Sequence, residues 1–182
     1  MRVVIAGVAG VGKSTVLQIV EKTTSYDVIN FGTLMYEMAR DIKIVETRDE
    51  IRKLSVETQI NLQKKAAIAI GQMEDVIVDT HMAIISPRGF LPGMPEWVIR
   101  DLKISAFFLL EADPAEVKKR RETDGTRSRD DETIEDIKLH QEVNRSFAIA
   151  YAVYTGATVS FINNLPGKAE EVAEKIVERL SK

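Results

Sequence analysis

A glycine-rich segment close to the N-terminus carries the residue types best suited to chemistry. It matches the pattern G-x-x-x-x-G-K-[ST], and its residues are Gly7, Val8, Ala9, Gly10, Val11, Gly12, Lys13, Ser14 and Thr15. The glycines of such a loop let successive backbone N–H groups turn toward a phosphate chain, and a following helix adds its partial positive charge. The pattern predicts that Lys13 reaches the β and γ phosphates and that the Ser14 hydroxyl contacts the Mg²⁺ ion between them.

The sequence on both sides of this segment supports the same interpretation. An apolar run at residues 3–6 precedes it, and apolar residues at helical spacing follow at 16–20. The order is therefore strand, glycine loop and helix, which is the context that a phosphate-binding loop requires. An ordinary glycine-rich turn is the alternative, and it would need neither the lysine nor the hydroxyl.

Three polar residues, Asp79, Thr80 and His81, follow another apolar run at residues 76–78. The run indicates a buried parallel strand, and Asp79 ends it. In glycine-loop nucleotide enzymes a strand-terminal aspartate holds Mg²⁺, so Asp79 is predicted to lie beside Ser14; a capping role is the alternative. His81 is either a hydrogen-bonded structural residue or a ligand contact, and the pattern leaves both open.

Arginines form two further groups. Arg48 and Arg52 are four residues apart, which predicts one face of a helix, and the spacing by itself favours an exposed face with local ion pairs. The second group lies around a turn-rich break and consists of Arg120, Arg121, Arg127 and Arg129. It belongs either to an exposed loop paired with neighbouring acidic residues or to a lid that brings guanidinium groups onto phosphates. The upstream glycine loop favours the lid.

The composition narrows the class of protein. The chain has 182 residues, of which 45% are hydrophobic and 29% charged, with a net charge of -3. Such a charge predicts no nucleic-acid partner. The absence of cysteine excludes disulfides, a cysteine nucleophile and a thiolate zinc site. No stretch has the length and apolarity of a membrane span or the pattern of a signal peptide, so we expect a cytoplasmic protein without a membrane partner.

The order of the elements predicts an α/β fold with a five-stranded parallel sheet and helices on both faces. The strand patterns lie at 3–6, 26–30, 75–79, 104–110 and 157–162. A helical pattern over 34–71 is longer than one crossover helix, which indicates an inserted helical flap. Residues 87–97 are rich in proline and glycine, so they are predicted to form an ordered loop, with Trp97 in the core.

These patterns predict a single domain over residues 1–182. Its parts are a core at about 1–31, 72–121 and 132–182, a flap at about 32–71 and a short lid at about 122–131. Two movable segments that exclude water suit a kinase with a small acceptor, because open access of water would hydrolyse the nucleotide. A nucleoside monophosphate acceptor is already ionised at neutral pH and needs no general base, and the sequence offers no obvious one. The N-K-x-D segment of GTPases is missing.

The chain resembles the archaeal-type adenylate kinases over nearly its whole length. Beyond the glycine loop, the segments that carry the resemblance are N-F-G-T at 30–33, R-D-E-I-R-K-L at 48–54, V-D-T-H at 78–81, G-F-L-P-G-M-P at 89–95, T-R-S-R-D at 126–130 and A-Y-A-V-Y-T-G-A-T-V at 150–159. The resemblance implies the fold of the P-loop nucleoside monophosphate kinases, with an AMP-binding flap and a short lid. It also implies reversible transfer between ATP and AMP to give two ADP with Mg²⁺ as cofactor, in a cytoplasmic homotrimer.

The resemblance also implies roles for particular residues. Residues 7–15 would bind the ATP phosphates, Arg120 would flank the adenine of ATP, and Lys13, Arg127 and Arg129 would act on the transferred group. Ser14 and Asp79 would hold the metal. The AMP site would consist of Asn30, Phe31, Gly32, Thr33, Arg48, Arg52 and His81.

The chain departs from the wider adenylate kinase pattern in two places. Tyr36 stands where an arginine usually follows the turn after the second strand, so the AMP phosphate is expected to be held by Arg40, Arg48 or Arg52. An Asp-Gly-x-Pro-Arg run is also replaced, at residues 79–81. A kinase for CMP, UMP or shikimate is one alternative, and a nucleotide-dependent switch or ATPase is another.

Overall fold

The computed structural model describes residues 1–123 and 132–181. In these residues the strands are β1 (Arg2–Ala6), β2 (Asp27–Asn30), β3 (Val76–Asp79), β4 (Ala83–Ser86), β5 (Gly89–Pro92), β6 (Ala106–Glu111) and β7 (Thr158–Asn163). The α-helices are α1 (Lys13–Thr23), α2 (Phe31–Asp41), α3 (Val56–Gly71), α4 (Glu96–Leu102), α5 (Pro114–Thr123), α6 (Ile134–Thr155) and α7 (Ala169–Leu180). A 3₁₀-helix covers Arg48–Lys53. No helix within the described ranges combines the length and the apolarity needed to cross a membrane.

The main sheet confirms the predicted fold class. It has five strands in the order β2-β3-β1-β6-β7, and every neighbouring pair is parallel. The central strands are continuous apolar runs because both faces of the sheet are covered. Alternate residues of β1 enter opposite cores: Val4 and Ala6 face one cluster, and Val3 and Ile5 face the other.

The strand register places the predicted site residues at one edge of the sheet. Asn30 is paired with Asp79 where β2 and β3 end, and Ile5 is also paired with Asp79. The glycine loop leaves β1 two residues beyond Ile5. In an open α/β sheet the carboxyl ends of parallel strands form the ligand-binding crevice, so this edge is where a site is expected.

The flap is divided where the sequence predicted continuous helical periodicity over 34–71. Helix α2 ends near Lys43, whose φ of 58° lies in the left-handed region. The 3₁₀-helix that follows has about three residues per turn, so residues four apart are about 120° apart around its axis. The prediction that Arg48 and Arg52 share one helix face is therefore wrong.

The predicted loop at 87–97 is also corrected. Its first part, residues 87–92, forms the turn and the second strand of the antiparallel hairpin β4–β5, and α4 begins at Glu96. Ile84, Ile85 and Phe90 favour β structure. The proline and glycine at 87 and 89 mark the turn of the hairpin, where Gly89 has a φ of 114°. Trp97 is partly buried against the core, and its indole N–H donates to the Gln63 Oε1 at 2.9 Å.

Helix α6 holds this hairpin in place. The Tyr151 hydroxyl donates to the Met82 carbonyl at 2.8 Å and accepts from the Met94 N–H at 3.2 Å. Burial raises the pKa of Tyr151 to about 12, so the hydroxyl stays protonated and able to donate at any ordinary pH. The Asn144 side chain accepts from the Ala83 N–H at 3.0 Å. These contacts fix the chain immediately after His81.

Candidate active site

The glycine loop turns sharply between β1 and α1. Gly10 and Gly12 have φ values of 84° and 90°, which residues with a side chain rarely adopt. At Gly7, where φ is negative, an added Cβ would lie 2.8 Å from the Leu110 carbonyl oxygen, so close packing against β6 also requires glycine. Helix α1 begins at Lys13, and its N-terminus therefore points into the loop.

A cleft of about 520 Å³ lies above the loop at the carboxyl edge of the sheet. It brings together residues from the glycine loop, α1, β2, β3, the flap and α5. The lining residues are Gly7, Val8, Ala9, Gly10, Gly12, Lys13, Ser14, Asn30, Arg48, Asp79, His81, Arg120 and Arg121. Most of the residues predicted for the ATP, AMP and metal sites therefore face one cavity.

Lys13 and Asp79 form an ion pair inside the cleft. The Lys13 Nζ donates to the Asp79 Oδ1 and also approaches the Thr80 carbonyl oxygen at 3.4 Å. Both side chains are largely buried, with 16% and 18% exposed. A charge-assisted pair in such a place is stronger than one at the surface, since solvent screens it less. The pair joins the glycine loop to the end of β3.

Asn30 connects this pair to the flap. Its Nδ2 donates to the Asp79 Oδ2 at 2.8 Å. Its Oδ1 caps α2 by accepting from the Thr33 N–H at 2.9 Å, and it also accepts from the Arg48 Nη2 at 3.2 Å. A continuous polar chain thus runs from Lys13 to Arg48. Gly32 leaves room for this guanidinium, because a Cβ there would lie 2.8 Å from the Arg48 Nη2.

The structure places several other predicted residues differently. Phe31 is 6% exposed and belongs to the core, so its side chain does not face the cleft. Arg52 is exposed on the 3₁₀-helix and does not line the cleft. His81 lines it from the segment after β3. Arg127 and Arg129 lie outside the described residues.

Two arginines at the end of α5 hold the glycine loop from the other side. The Arg120 Nη1 donates to the Val11 carbonyl at 3.2 Å, and the Arg121 Nε donates to the Ala9 carbonyl at 2.8 Å. Arg121 also pairs with Glu132. The sequence grouped Arg121 with the lid arginines but assigned it no role of its own, because the basic run 118–121 does not indicate which of its members face inward.

Sequence reasoning missed a second cavity, of about 370 Å³, on the far side of Arg120. It is lined by Gly12, Thr15, Arg120, Asn164, Leu165, Pro166, Gly167 and Ala169. The loop after β7 supplies half of this lining. The available signal was its position, since the loop leaves the carboxyl end of a parallel strand beside the glycine loop.

The donor atoms in the cleft suit a magnesium ion. Ser14 and Asp79 offer a hydroxyl and a carboxylate, which are the hard oxygen ligands that Mg²⁺ prefers. Within residues 1–123 and 132–181 no group of three or more His, Cys, Asp or Glu side chains could hold a metal by itself. This arrangement fits Mg²⁺, because the ion is commonly held by one or two carboxylates together with waters and substrate phosphates.

The fold and the glycine loop together define a P-loop protein with the fold of the P-loop kinases. The solved shikimate kinase from Bacteroides thetaiotaomicron has a TM-score of 0.63 at 14% identity, covering 100% of this chain and 99% of that one. The shikimate kinase from Acinetobacter baumannii, in complex with shikimate, has a TM-score of 0.66 at 13% identity, covering 99% and 92%. At these identities the likeness shows the fold alone. Residues 6–138 also match a family described as AAA domain.

Sequence relatives define the family more narrowly. The adenylate kinase of Thermoplasma acidophilum is 54% identical over 178 residues, covering 98% of this chain and 97% of the relative. That of Thermoplasma volcanium is 56% identical, covering 97% and 98%, and that of Methanococcus vannielii is 40% identical, covering 98% and 97%. The chain therefore belongs to the adenylate kinase family and is a phosphotransferase of that family. The predicted resemblance is confirmed.

Proposed function

We propose that this enzyme transfers a phosphoryl group reversibly between ATP and AMP within the cleft, giving two ADP. The observation that carries the proposal is the polar chain Lys13, Asp79, Asn30 and Arg48, because it joins the phosphate-binding loop to the flap. Donor groups and acceptor groups then line one cavity. Phosphoryl transfer requires mainly positioning and charge neutralisation, and this arrangement supplies both.

The donor side of the proposed site is the glycine loop with its two flanking arginines. The backbone N–H groups of residues 7–15 would hold the ATP phosphates. Lys13 would release Asp79 and bind the transferred phosphoryl group instead. The adenine would occupy the second cavity, where the planar guanidinium of Arg120 forms one wall. Arg127 and Arg129 would neutralise charge on the phosphates from the lid.

The acceptor side is the turn after β2 together with the 3₁₀-helix of the flap. Of the three arginines considered for the AMP phosphate, Arg48 lines the cleft, whereas Arg40 lies over the ring of Tyr36 at 5.6 Å. Arg48 is therefore the proposed phosphate ligand, with Arg52 as its neighbour on the flap. Asn30, Gly32, Thr33 and His81 would contact the base and ribose of AMP, whereas the Phe31 side chain lies in the core.

Magnesium is the proposed cofactor. Ser14 and Asp79 would hold it, and the ion would neutralise charge on the β and γ phosphates when bound. The two ligands would come from different elements: the Ser14 hydroxyl from the first turn of α1, and the Asp79 carboxylate from the end of β3. No residue is required as a general base, because the phosphate of AMP is already ionised.

The resemblance to archaeal-type adenylate kinases supports two further proposals, namely a homotrimer and a cytoplasmic location. Light scattering tests the first. A mass near that of one 20.4 kDa chain would contradict the trimer.

The experiment that tests the reaction measures ADP formation from ATP and Mg²⁺ with AMP, CMP, UMP, GMP, shikimate or no acceptor in separate assays. We expect rapid formation of two ADP with AMP and, in reverse, formation of ATP and AMP from ADP. Lys13→Ala protein purified in the same way is the control, because its residual rate measures any contaminating kinase. This variant should fold normally and lose nearly all activity.

The other outcomes identify the alternatives. A higher rate with CMP, UMP or shikimate would leave the donor site in place and overturn the assignment of residues 30–33. A rate that never exceeds the acceptor-free rate would point to a nucleotide-dependent switch or ATPase instead.

A further inference from the structure

Asn164 is a buried polar residue that contacts the glycine loop from the far end of the chain. It follows β7 directly and is 3% exposed. Its backbone N–H donates to the Glu111 carbonyl at 2.7 Å, which ties it to the end of β6. Its side-chain Nδ2 donates to the Val11 carbonyl at 2.8 Å, across 153 residues of sequence. The last strand is thereby joined to the phosphate-binding loop through one amide.

The contact is close as well as hydrogen-bonded. A Cβ at Gly12 would lie 2.5 Å from the Asn164 Nδ2, so the loop backbone packs directly against the amide. The same Val11 carbonyl also accepts from the Arg120 Nη1 at 3.2 Å. The carbonyl of the Val11–Gly12 peptide thus accepts hydrogen bonds from both Asn164 and Arg120.

The hydrogen bonding of Asn164 is poorly suited to a purely structural role. Within the described residues its Oδ1 is buried and has no hydrogen-bond partner. An unpaired buried acceptor costs stability, so an apolar side chain of the same shape would serve the core better. What the amide supplies, and an apolar group would not, is the bond to the Val11 carbonyl.

Asn164 also lies where the second cavity meets the glycine loop. Gly12 and Arg120 line this cavity together with Asn164, and the loop at 165–167 forms its other wall. Any movement of the amide would change the distance between the phosphate-binding N–H groups and the cavity proposed for the adenine of ATP. The acceptor groups Asn30 and Arg48 line the other cavity, which Asn164 does not line.

We propose that Asn164 is a positioning residue for the donor nucleotide: it sets the spacing between the phosphate-binding loop and the cavity for the donor base. This inference rests on the proposed assignment of ATP to the glycine loop. It predicts that loss of the amide weakens the binding of ATP and leaves the binding of AMP unchanged. A residue that merely stabilises the fold would weaken both or neither.

The test compares Asn164→Leu with Asn163→Leu. Leucine has nearly the same branched shape as asparagine, so the first variant removes the bond to Val11 without opening a cavity. Asn163 is the preceding residue, is exposed and lines neither cavity, so the same substitution there is a matched control. Calorimetry with a non-hydrolysable ATP analogue and, separately, with AMP gives the two dissociation constants, and thermal unfolding gives the stability.

We expect Asn164→Leu to bind the ATP analogue roughly fivefold or more weakly, the effect of one lost hydrogen bond. Its affinity for AMP should stay within about twofold of the wild type, as should both affinities of Asn163→Leu. Unchanged ATP affinity, or an equal loss for ATP and AMP, would overturn the proposal. If Asn164→Leu shows no cooperative unfolding, the measurement passes to Asn164→Ala, which removes the amide donor without adding bulk or charge. Failure of both variants to fold would also overturn it, since Asn164 would then be structural.

A failure of the donor assignment gives a different result. Wild-type protein would then show no affinity for the ATP analogue, whatever the variants do.

Discussion

Asp79 has two carboxylate oxygens with different partners, and this division determines what each neighbouring residue can do. One oxygen accepts from Lys13, and the other accepts from Asn30 at 2.8 Å. The amide therefore fixes the orientation of the carboxylate that is proposed to hold Mg²⁺. Groups that orient a metal ligand typically affect metal affinity or activity by about 10- to 100-fold.

Asn30→Asp isolates this orienting bond. The new side chain keeps an oxygen that can cap α2 and accept from Arg48, but it replaces the N–H donor toward Asp79 with a negative charge. We expect the affinity for ATP in the presence of Mg²⁺ to fall by about tenfold, with a smaller change in EDTA. Calorimetric titration with ATP under the two conditions measures the difference.

Ser55→Ala is the control for the helix cap. Ser55 caps α3 by accepting from the Thr58 N–H at 3.2 Å and lies away from Asp79. The Ser55→Ala variant should leave the Mg²⁺ dependence of ATP affinity unchanged. An equal loss for Asn30→Asp with and without Mg²⁺ would show that Asn30 does not orient Asp79.

At the scale of elements, the flap depends on a short 3₁₀-helix that carries Arg48. Thr47 and Glu50 form a capping box at its start, and the Glu50 carboxylate accepts from the Glu46 N–H at 2.7 Å and from the Thr47 N–H at 3.3 Å. These backbone hydrogen bonds lower the pKa of Glu50 below its ordinary value of 4.5. Folding therefore favours the ionised carboxylate.

The sign of the resulting pH dependence follows from this direction. Because the pKa is lower in the folded protein, the stabilisation is fully present above about pH 4.5, the ordinary value, and is lost as the pH falls through the folded pKa. Glu50→Gln should be less stable than wild type at pH 6, and the difference should shrink toward pH 3. Urea unfolding across this range gives the free energies.

Glu178→Gln provides the comparison. Glu178 lies on the exposed face of α7, and its replacement by glutamine removes the same negative charge as Glu50→Gln. Its difference from wild type should be small at every pH. A difference for Glu50→Gln that does not change with pH would contradict the capping role.

At the scale of the whole molecule, the flap is joined to the body through close contact between α3 and α4. Gly71, near the end of α3, is buried, and a Cβ there would lie 2.0 Å from the Asp101 backbone oxygen. Backbone atoms cannot move aside as a flexible side chain can. The absence of a side chain at Gly71 therefore determines how closely the two helices approach.

Gly71→Ala tests this packing, because two effects of opposite sign compete. Alanine in a helix is more favourable than glycine by about 0.5–1 kcal/mol, whereas overpacking of a core costs about 1–3 kcal/mol. We expect the steric term to dominate and the variant to lose about 1–2 kcal/mol of unfolding free energy, measured by urea denaturation. Lys65→Ala, on the exposed face of the same helix, should change it by less than about 0.5 kcal/mol. A Gly71→Ala protein as stable as wild type would show that α4 is not in close contact.

The amino-acid sequence was enough to predict the fold class, the glycine loop and the family. Local patterns carry these features: alternation and continuous apolar runs specify the buried strands, and G-x-x-x-x-G-K-[ST] specifies the loop because each residue type has a physical task there. Local sequence signals also mark the start of α5 and the end of α6. Pro114 starts α5 after a capping Asp113, and Gly156 ends α6 with a φ of 73°.

Which of the polar residues meet depends on the tertiary structure and could not be predicted from local sequence. Asn30 and Asp79 are 49 residues apart, and Asn164 is 153 residues from Val11, so no local spacing relates them. The sequence placed Arg48 and Arg52 on one face because that spacing assumes an α-helix, whereas the structure has a 3₁₀-helix there. Register between parallel strands and the packing of the flap bring these side chains together, and both are properties of the whole fold.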